Sequence, residues 1–322
     1  MGTMENGNGR SDSQVIRTIP LACADESIAV EYVEELRWGK DKAHACPRCG
    51  DDNVYPVMDR KNPGKRNADY RWRCRGCGTF HTIRTGTVME DSRVPLRHWC
   101  YAFWKVCSSK KGISAKQIQR ETGLTYKSAL FLMHRIRFAL CDMPGCKLTG
   151  AVEVDETYIG GKPRPFGPIS KRGRGTRKQP VMAMVQRGGD VRTAVIPNVT
   201  ATTLKAAIVQ HVAETAKLNT DEFVSYQPIG RSWPGGHDTI DHKRREYSRG
   251  EAYTNTAESF FALLKRGVYG TFHAVSKRHL PQYVSELEFR WNTRKMDDGS
   301  RIVAAVRGGE GKRLMYREPR AV

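Results

Sequence analysis

Two pairs of cysteines with the same internal spacing constrain this chain more than any other feature of its sequence. The pairs are Cys46-Pro-Arg-Cys49 and Cys74-Arg-Gly-Cys77, each followed by glycine, with 24 residues between them. Each pair can present two thiolates to one tetrahedral ion, and the trailing glycine permits a tight turn. We therefore expect Cys46, Cys49, Cys74 and Cys77 to bind one Zn²⁺ in a zinc ribbon, which could read DNA, bind protein or only stabilise the fold.

A second local pattern follows the cysteines and predicts a pair of helices. Ser114 and Gln117 form a capping box that marks the start of a short helix. Gly123 interrupts the pattern, and Thr125 can cap a longer, basic helix. A short helix, a turn with glycine and a longer helix are typical of a helix-turn-helix DNA-binding domain. The first turn of the second helix would face base edges in the major groove, through Tyr126, Lys127 and Ser128.

The charge of the whole chain favours a nucleic-acid partner. There are 54 Lys and Arg against 34 Asp and Glu, a formal net charge of +20. A surplus that large indicates a polyanionic partner. No apolar stretch approaches the ~20 residues needed to span a bilayer, so we expect no membrane partner. The polar N-terminus lacks an apolar signal core, so we expect a reducing compartment, where the nine cysteines are free or metal-bound.

The sequence pattern of residues 150–295 predicts an α/β domain. Residues 151–159 read as a strand, and two further strands flank Gly188-Gly189-Asp190 as a hairpin. An amphipathic helix is predicted from Thr200 to Lys217, and later helices over 256–266 and 280–294. Together with the upstream patterns, this predicts a flexible tail (1–20), an N-terminal helix with the zinc ribbon (21–90), a helix-turn-helix domain (91–147), an α/β catalytic domain (148–296) and a C-terminal tail (297–322).

Three acids in the α/β domain form the candidate catalytic site. Asp155 interrupts an apolar strand, Asp221 follows the long helix, and Glu258 lies on a later helix. An acid within an apolar strand must be paired, metal-bound or solvent-facing, because burying it bare is costly. Carboxylates from separate segments can hold two Mg²⁺ or Mn²⁺ ions about 4 Å apart, the arrangement that phosphodiester chemistry uses. The order of the three acids is that of a ribonuclease-H-like core.

Further polar residues extend this candidate site. Lys265 lies two helical turns beyond Glu258 and could reach a DNA phosphate. Asn255 lies three residues before Glu258, on the same edge of the helix. The basic, glycine-rich loop after the first strand is predicted to bind DNA through Lys171, Arg172 and Arg174.

The segments around the first and third acids resemble the signature blocks of DDE-superfamily insertion-sequence transposases. These blocks are Val152–Lys162 and Tyr253–Gly267, and His279–Asn292 is similar to the family's C-terminal helix. The nearest branch has an N-terminal zinc ribbon and is related to the Merlin elements of eukaryotes. The resemblance implies a ribonuclease-H-like core, Mg²⁺-dependent hydrolysis at transposon ends, and strand transfer into target DNA.

Carried over by position, the resemblance assigns three catalytic acids, Asp155, Asp221 and Glu258. The family has an apolar strand before the second acid, whereas Ala216–Thr220 is polar here, which leaves Asp238 and Asp241 as alternatives. Some relatives use Asn at the third position, so Asn255 is an alternative third ligand. His242 falls where this branch often has His, and would orient a water or contact the scissile phosphate.

The resemblance also implies the partners and the location of the protein. Transposon-end DNA and target DNA would be bound, and synapsis of two ends implies a homodimer or a larger assembly. The location would be the nucleoid of a bacterial cytoplasm, or the nucleus for a eukaryotic Merlin-type element. Two alternatives share parts of the pattern: a non-catalytic zinc-ribbon and helix-turn-helix regulator, as in a domesticated transposase, and a nuclease or ribonuclease H.

Overall fold

The polypeptide forms two structural units, and its C-terminal segment belongs to the first of them. The computed structural model describes residues 12–141, 146–160, 178–240 and 254–315. Within these residues, the first unit contains 12–109, 113–141 and 296–315, and the second contains 110–112, 146–160, 178–240 and 254–295.

Two helices open the first unit, α1 (Asp12–Ala24) and α2 (Glu26–Trp38). The flexible tail predicted for residues 1–20 therefore differs from the structure over residues 12–20, which are helical. Val15 and Ile19 are fully buried at a spacing of four residues, so α1 has an apolar face to pack. The Asp25 side chain accepts hydrogen bonds from the backbone N–H of Ser27 and Ile28 at 2.8 and 3.0 Å, which caps α2.

The cysteine region folds as a small antiparallel sheet of β1 (Val54–Pro56), β2 (Trp72–Cys74) and β3 (Phe80–His81) in the order β1-β2-β3. A fully buried carboxylate, Glu34 on α2, attaches the sheet to the helices. It accepts hydrogen bonds from Trp72 Nε1 and from Arg66 Nη1, each at 2.8 Å. The ribbon is thus anchored to α2 by a buried carboxylate whose oxygens are hydrogen-bonded.

The predicted helix pair is present as α4 (Ala115–Thr122) and α5 (Tyr126–Ala139), preceded by α3 (Leu96–Ser108). Ser114 Oγ accepts from the Gln117 N–H at 3.2 Å, and Thr125 Oγ1 accepts from the Ser128 N–H at 3.3 Å. Gly123 ends α4 with φ +72°, a left-handed conformation that favours glycine. These caps were all predicted, and the buried residues of α5 include Ala129, Leu132, Met133 and Ile136.

The last described helix, α10 (Asp298–Arg307), completes the first unit by packing against α1, α2 and α3. A C-terminal tail was expected here. Asp297 caps the helix by accepting from the Gly299 and Ser300 N–H groups at 2.8 and 3.0 Å. The helix forms because its apolar residues share one face and are buried, at Ile302, Ala305 and Val306.

The second unit is built on a five-stranded sheet with the strand order β6-β5-β4-β7-β8. Its strands are β4 (Ala151–Ile159), β5 (Gln179–Gln186), β6 (Val191–Val195), β7 (Lys217–Asp221) and β8 (His237–Ile240). The first three strands are antiparallel neighbours, and β7 and β8 run parallel to β4. This is the ribonuclease-H-like arrangement that was predicted, and it includes the expected β5–β6 hairpin.

Helices cover both faces of this sheet: α6 (Ala201–His211), α7 (Gln227–Ser232), α8 (Asn255–Gly267) and α9 (Leu280–Asn292). One apolar cluster packs α6 and α7 against Val152 and Val154, and another packs α8 and α9 against Val181 and Val185. The helix predicted from Thr200 to Lys217 ends earlier, at His211, because Lys217–Asp221 join the sheet as β7.

Candidate active site and metal centre

The four ribbon cysteines come together in one cluster. Their sulfur atoms all lie within 4.8 Å of one another, with Cys46 Sγ 3.8 Å from Cys77 Sγ and Cys49 Sγ 3.6 Å from Cys74 Sγ. Four sulfurs placed tetrahedrally about 2.3 Å from a zinc ion would be about 3.8 Å apart. The cluster therefore has the size and the donor set of a structural zinc site.

The register of the central strands brings the first two acids together. Strands β4 and β7 pair in parallel from Ala151 opposite Lys217 to Val154 opposite Thr220. One residue further along, the same register places Asp155 beside Asp221, at the strand separation of about 4.8 Å. The polar segment before Asp221 is thus a true strand, with Leu218, Asn219 and Thr220 buried. This supports Asp221 as the second acid of the predicted site.

The third acid, Glu258, is close enough for its charge to act on Asp155. The pKa of Asp155 is raised to about 7, first by burial and then by the negative charges of Glu156, Asp221 and Glu258, against a hydrogen bond from the Glu156 N–H that lowers it. Carboxylates that raise one another's pKa are stabilised by a cation between them, and oxygen donors suit Mg²⁺ or Mn²⁺. The residues present therefore fit a divalent ion.

The acidic group is less tightly gathered than the cysteines. Among the His, Cys, Asp and Glu residues of the described ranges, only the four cysteines form a group of three or more whose ligand atoms all lie within 4.8 Å of one another. Glu258 is exposed on the first turn of α8, as is Asn255, and Lys265 is exposed two turns later. Repulsion between uncompensated carboxylates is a physical reason for the looser arrangement.

Two hydrogen bonds hold the surroundings of Asp155 and Asp221. The Phe223 N–H donates to Asp221 Oδ1 at 3.1 Å. The Tyr226 hydroxyl donates to Glu156 Oε2 at 2.9 Å, which joins the turn after β7 to the strand that carries Asp155. Burial raises the pKa of Tyr226 well above its usual value, and the charge of Glu156 adds to this effect, so the phenol stays a donor.

Comparisons with known sequences identify the family of the chain. Residues 147–292 match the family described as ISXO2-like transposase domain, and residues 24–80 match the transposase zinc-ribbon domain. A transposase-like protein of Haemophilus influenzae is 31% identical over 102 residues, covering 32% of this chain and 80% of that protein. The chain belongs to the ISXO2-like transposase family. The predicted family resemblance is confirmed.

Two further comparisons concern a longer relative and a solved structure. A protein in the transposable element ISH50 of Halobacterium salinarum is 29% identical to this transposase over 278 residues, covering 82% of this chain and 90% of that protein. The catalytic core domain of BIV integrase aligns with a TM-score of 0.30 and 14% identity, over 44% of this chain and 84% of that chain. That score is too low to assign a fold, and the ribonuclease-H-like fold is assigned from the strand order β6-β5-β4-β7-β8.

Several predicted site residues of the transposase lie outside the described residues: His242, Asp241, Lys171, Arg172 and Arg174. Asp238, the other alternative for the second acid, is described and pairs with Lys217 at 2.8 Å. Its register partner on β7 is Asn219, so it lies two residues behind Asp221 along the sheet.

Helix α5, which is predicted to read DNA, presents two of its three predicted contact residues to solvent. Tyr126 is 43% exposed and Lys127 is exposed, whereas Ser128 is half-buried and its hydroxyl accepts a hydrogen bond from Thr125 at 3.0 Å. Lys116 on α4 lies 5.0 Å from the centre of the Tyr126 ring, a contact that the sequence did not indicate. No described helix of the transposase has the length and apolar character needed to cross a membrane.

Proposed function

We propose that this transposase binds the DNA ends of its element and catalyses metal-dependent strand cleavage and strand transfer into target DNA with Asp155, Asp221 and Glu258. One observation carries the proposal: the β4–β7 register places Asp155 beside Asp221, in a group where Glu258 also raises the pKa of Asp155. Asp155 and Asp221, far apart in sequence, lie on neighbouring strands of the ribonuclease-H-like sheet, and the charge of Glu258 acts on Asp155 from α8.

The three carboxylates would hold the divalent ions. When bound, two such ions activate the attacking oxygen and stabilise the leaving oxygen of a phosphodiester. The protein's own groups orient the ligands: the Glu156 N–H holds Asp155 at 2.7 Å, and the Phe223 N–H holds Asp221 at 3.1 Å. Lys265, exposed on α8, would bind a DNA phosphate.

For the third ligand, Glu258 is favoured over Asn255. Both are exposed on the first turn of α8, and the charge of Glu258 helps to raise the pKa of Asp155, so Glu258 lies near that acid. An amide oxygen carries no charge and would bind a divalent ion less strongly. His242 stays a proposed contact of the scissile phosphate or its water.

DNA recognition is assigned to the first unit. The exposed Tyr126 and Lys127 would contact base edges, and the ribbon adds exposed guanidinium groups. Arg73 lies 5.4 Å from the Phe80 ring centre, and Arg75 lies 5.1 Å from that of Tyr55, so both side chains are held by aromatic contacts at a DNA-accessible surface. The loop with Lys171, Arg172 and Arg174 would bind backbone phosphates.

The assembly and location follow from the same proposal. Joining two ends to a target requires at least two protomers, and we expect a homodimer or larger assembly on DNA. The protein would act at the nucleoid in a bacterium, or in the nucleus if its element is eukaryotic.

The test is incubation of the purified chain with a labelled duplex that ends in the element's terminal repeat, with Mg²⁺ and a target plasmid. We expect cuts at one position beside the repeat, joined products in the plasmid, and neither in Mg²⁺-free buffer. End binding without cleavage would support the non-catalytic regulator. Cutting that ignores the repeat, or that prefers an RNA–DNA hybrid, would support the nuclease alternative.

A further inference from the structure

A second acid of β4, Glu153, is fully buried and was not assigned a role from the sequence. Its carboxylate accepts four hydrogen bonds. Oε2 accepts from the backbone N–H groups of Thr256 and Ala257 at 2.8 and 3.0 Å. Oε1 accepts from Thr256 Oγ1 at 3.0 Å and from Arg187 Nε at 3.0 Å. Three of the four donors thus belong to the first turn of α8.

This carboxylate caps α8 from another element of the fold. Thr254, at the position before the helix, makes no side-chain capping hydrogen bond. The first N–H groups of a helix lack intrahelical partners and carry partial positive charge, so a carboxylate that accepts from them is stabilising. In α8, that carboxylate comes from the central strand of the sheet, 103 residues earlier in the chain.

The position of the cap connects two of the catalytic acids. Side chains two residues apart on a strand point to the same face, so Glu153 and Asp155 share the face of β4 that α8 covers. Glu258 follows Ala257 directly in the chain. The Glu153 carboxylate therefore joins the strand of Asp155 to the helical turn of Glu258.

Helix stability alone does not account for this arrangement. A local side-chain cap would satisfy α8 without burying a charge, but Thr254, which occupies that position, does not make one. A buried ion pair such as Glu153 with Arg187 contributes little net stability after its desolvation penalty. What a buried, fully hydrogen-bonded carboxylate does provide is a defined distance between two elements.

We propose that Glu153 is a positioning residue that sets the separation of the Asp155 and Glu258 carboxylates, and with it the affinity of the site for a divalent ion. This inference rests on the proposed roles of those two acids. Arg187 supports it by holding Glu153 in one orientation.

The same unit offers a matched control, Glu288 on α9. Its Oε2 accepts from the N–H of Thr193 at 3.0 Å, and its Oε1 lies 3.6 Å from Arg192 Nη1. It also joins a helix to a strand through a carboxylate and an arginine. That strand is β6, separated from β4 by β5, so the link does not involve the catalytic acids.

The first measurement is amide hydrogen exchange of the full chain in Mg²⁺-free buffer, which needs no catalysis. Glu153→Gln keeps the shape of the side chain but replaces one acceptor oxygen with an NH₂ group. We expect the amides of Thr256, Ala257 and Glu258 to exchange about tenfold faster in this variant. In Glu288→Gln these amides should exchange as in the parent.

The second measurement is calorimetric titration of the same proteins with Mg²⁺, with Asp155→Asn to identify the heat of the acidic site. We expect the Kd to rise about tenfold in Glu153→Gln, as for outer partners of metal ligands, and to stay unchanged in Glu288→Gln. Faster exchange with an unchanged Kd would show that Glu153 only caps a helix, and would overturn the proposal. An equal rise of Kd in both variants would also overturn it.

A third variant keeps the proposal testable if Glu153→Gln does not fold. Thr256→Val removes one hydroxyl donor to Glu153 without changing the size of the side chain, and should raise the Kd in the same direction by a smaller factor. No change would count against the proposal. A parent that binds Mg²⁺ but cuts no DNA would contradict the proposed function and leave the positioning role standing.

Discussion

The four cysteines of the ribbon come from two segments of four residues each, whereas the three acids come from β4, β7 and α8. The sulfurs of each close pair lie 3.6 and 3.8 Å apart, and the size of the cluster is that of a zinc site. The acids only partly converge, and burial together with repulsion from the neighbouring carboxylates raises the pKa of Asp155 to about 7. A site made of short local segments can reach its final geometry by itself, while a site made of distant elements depends on the packing of the whole sheet.

The comparison predicts that removal of a ribbon ligand has the largest effect. The parent should contain about one zinc per chain, and Cys74→Ser should contain none and lose the structure of residues 44–85. The apparent binding free energy of a structural zinc is about 10–16 kcal/mol, far more than so small a sheet gains by packing. Elemental analysis and hydrogen exchange measure both effects.

Cys146→Ser is the matched control, because this exposed cysteine lies outside the cluster. It should retain the zinc. Protein purified without chelator that contains no zinc would refute the metal centre, and loss of the β4–β8 sheet in Cys74→Ser would show that the two sites are not independent.

At the acidic site, Asp155→Asn should lower DNA cleavage by about 10³-fold or more, because the charge that holds the ions is gone. End binding in a gel shift should persist, since the ribbon and helix-turn-helix are unchanged. Asp221→Asn and Glu258→Gln should likewise lose DNA cleavage and keep end binding.

Asp238→Asn is the control, because Asp238 pairs with Lys217 rather than lying at the end of β7. It should cut normally. Loss of cleavage in Asp238→Asn but not in Asp221→Asn would move the second acid. Normal cleavage in Glu258→Gln would make Asn255 the third ligand.

The raised pKa of Asp155 predicts a smaller effect on stability. An aspartate in an unfolded chain has a pKa of about 3.9, and that of Asp155 in the fold is about 7. Between these values the folded protein keeps a proton that the unfolded chain has released, so the free energy of unfolding falls as the pH rises from about 4 to 7. In Mg²⁺-free buffer, the free energy of unfolding of Asp155→Asn should not show this fall, which amounts to something on the order of 2–4 kcal/mol for the parent at pH 8.

Urea unfolding followed by tryptophan fluorescence, to which the buried Trp233 of the same unit contributes, measures this effect. The difference between variant and parent should grow between pH 4 and 7 and then stay constant. Saturating Mg²⁺ should reduce it by stabilising the ionised parent. Parallel pH profiles for the two proteins would contradict the raised pKa.

The smallest effect is expected in recognition. Tyr126→Ala and Lys127→Ala should each lower the preference for the element's own ends by about 1–3 kcal/mol, with less effect on random DNA, because base contacts specify and phosphate contacts position. Competition binding with both DNAs measures the difference.

Two further variant sets sharpen this prediction. Ser128→Ala should have less effect, since the Ser128 hydroxyl is engaged by Thr125. Neutralising Lys171, Arg172 and Arg174 should weaken binding to both DNAs and flatten its salt dependence. Equal losses on both DNAs for all variants would refute the division between base and phosphate contacts.

The accuracy of the sequence predictions follows the same contrast between local and distant contacts. Caps at Ser114 and Thr125 were predictable, because their partners lie three residues away. The start of strand β7 was not, because its polar residues are buried only through pairing with β4 and β8. Glu153 was missed for the same reason: its partners on α8 are 103 and 104 residues distant.

Helix α10 was also missed, and its place in the first unit has a consequence during synthesis. Arg307 Nε donates to Leu36 O at 3.1 Å, so a residue near the end of the described chain closes the unit that begins with α1. Chains emerge from the ribosome N-terminus first, and the ribbon and helix-turn-helix are therefore made long before the helix that completes their unit. A polypeptide cut short by a nonsense codon within the second unit would lack α10, and its first unit, which carries the ribbon and the helix-turn-helix, would be incomplete. We therefore expect such fragments to bind transposon ends less well than the full chain, and so to interfere little with intact copies.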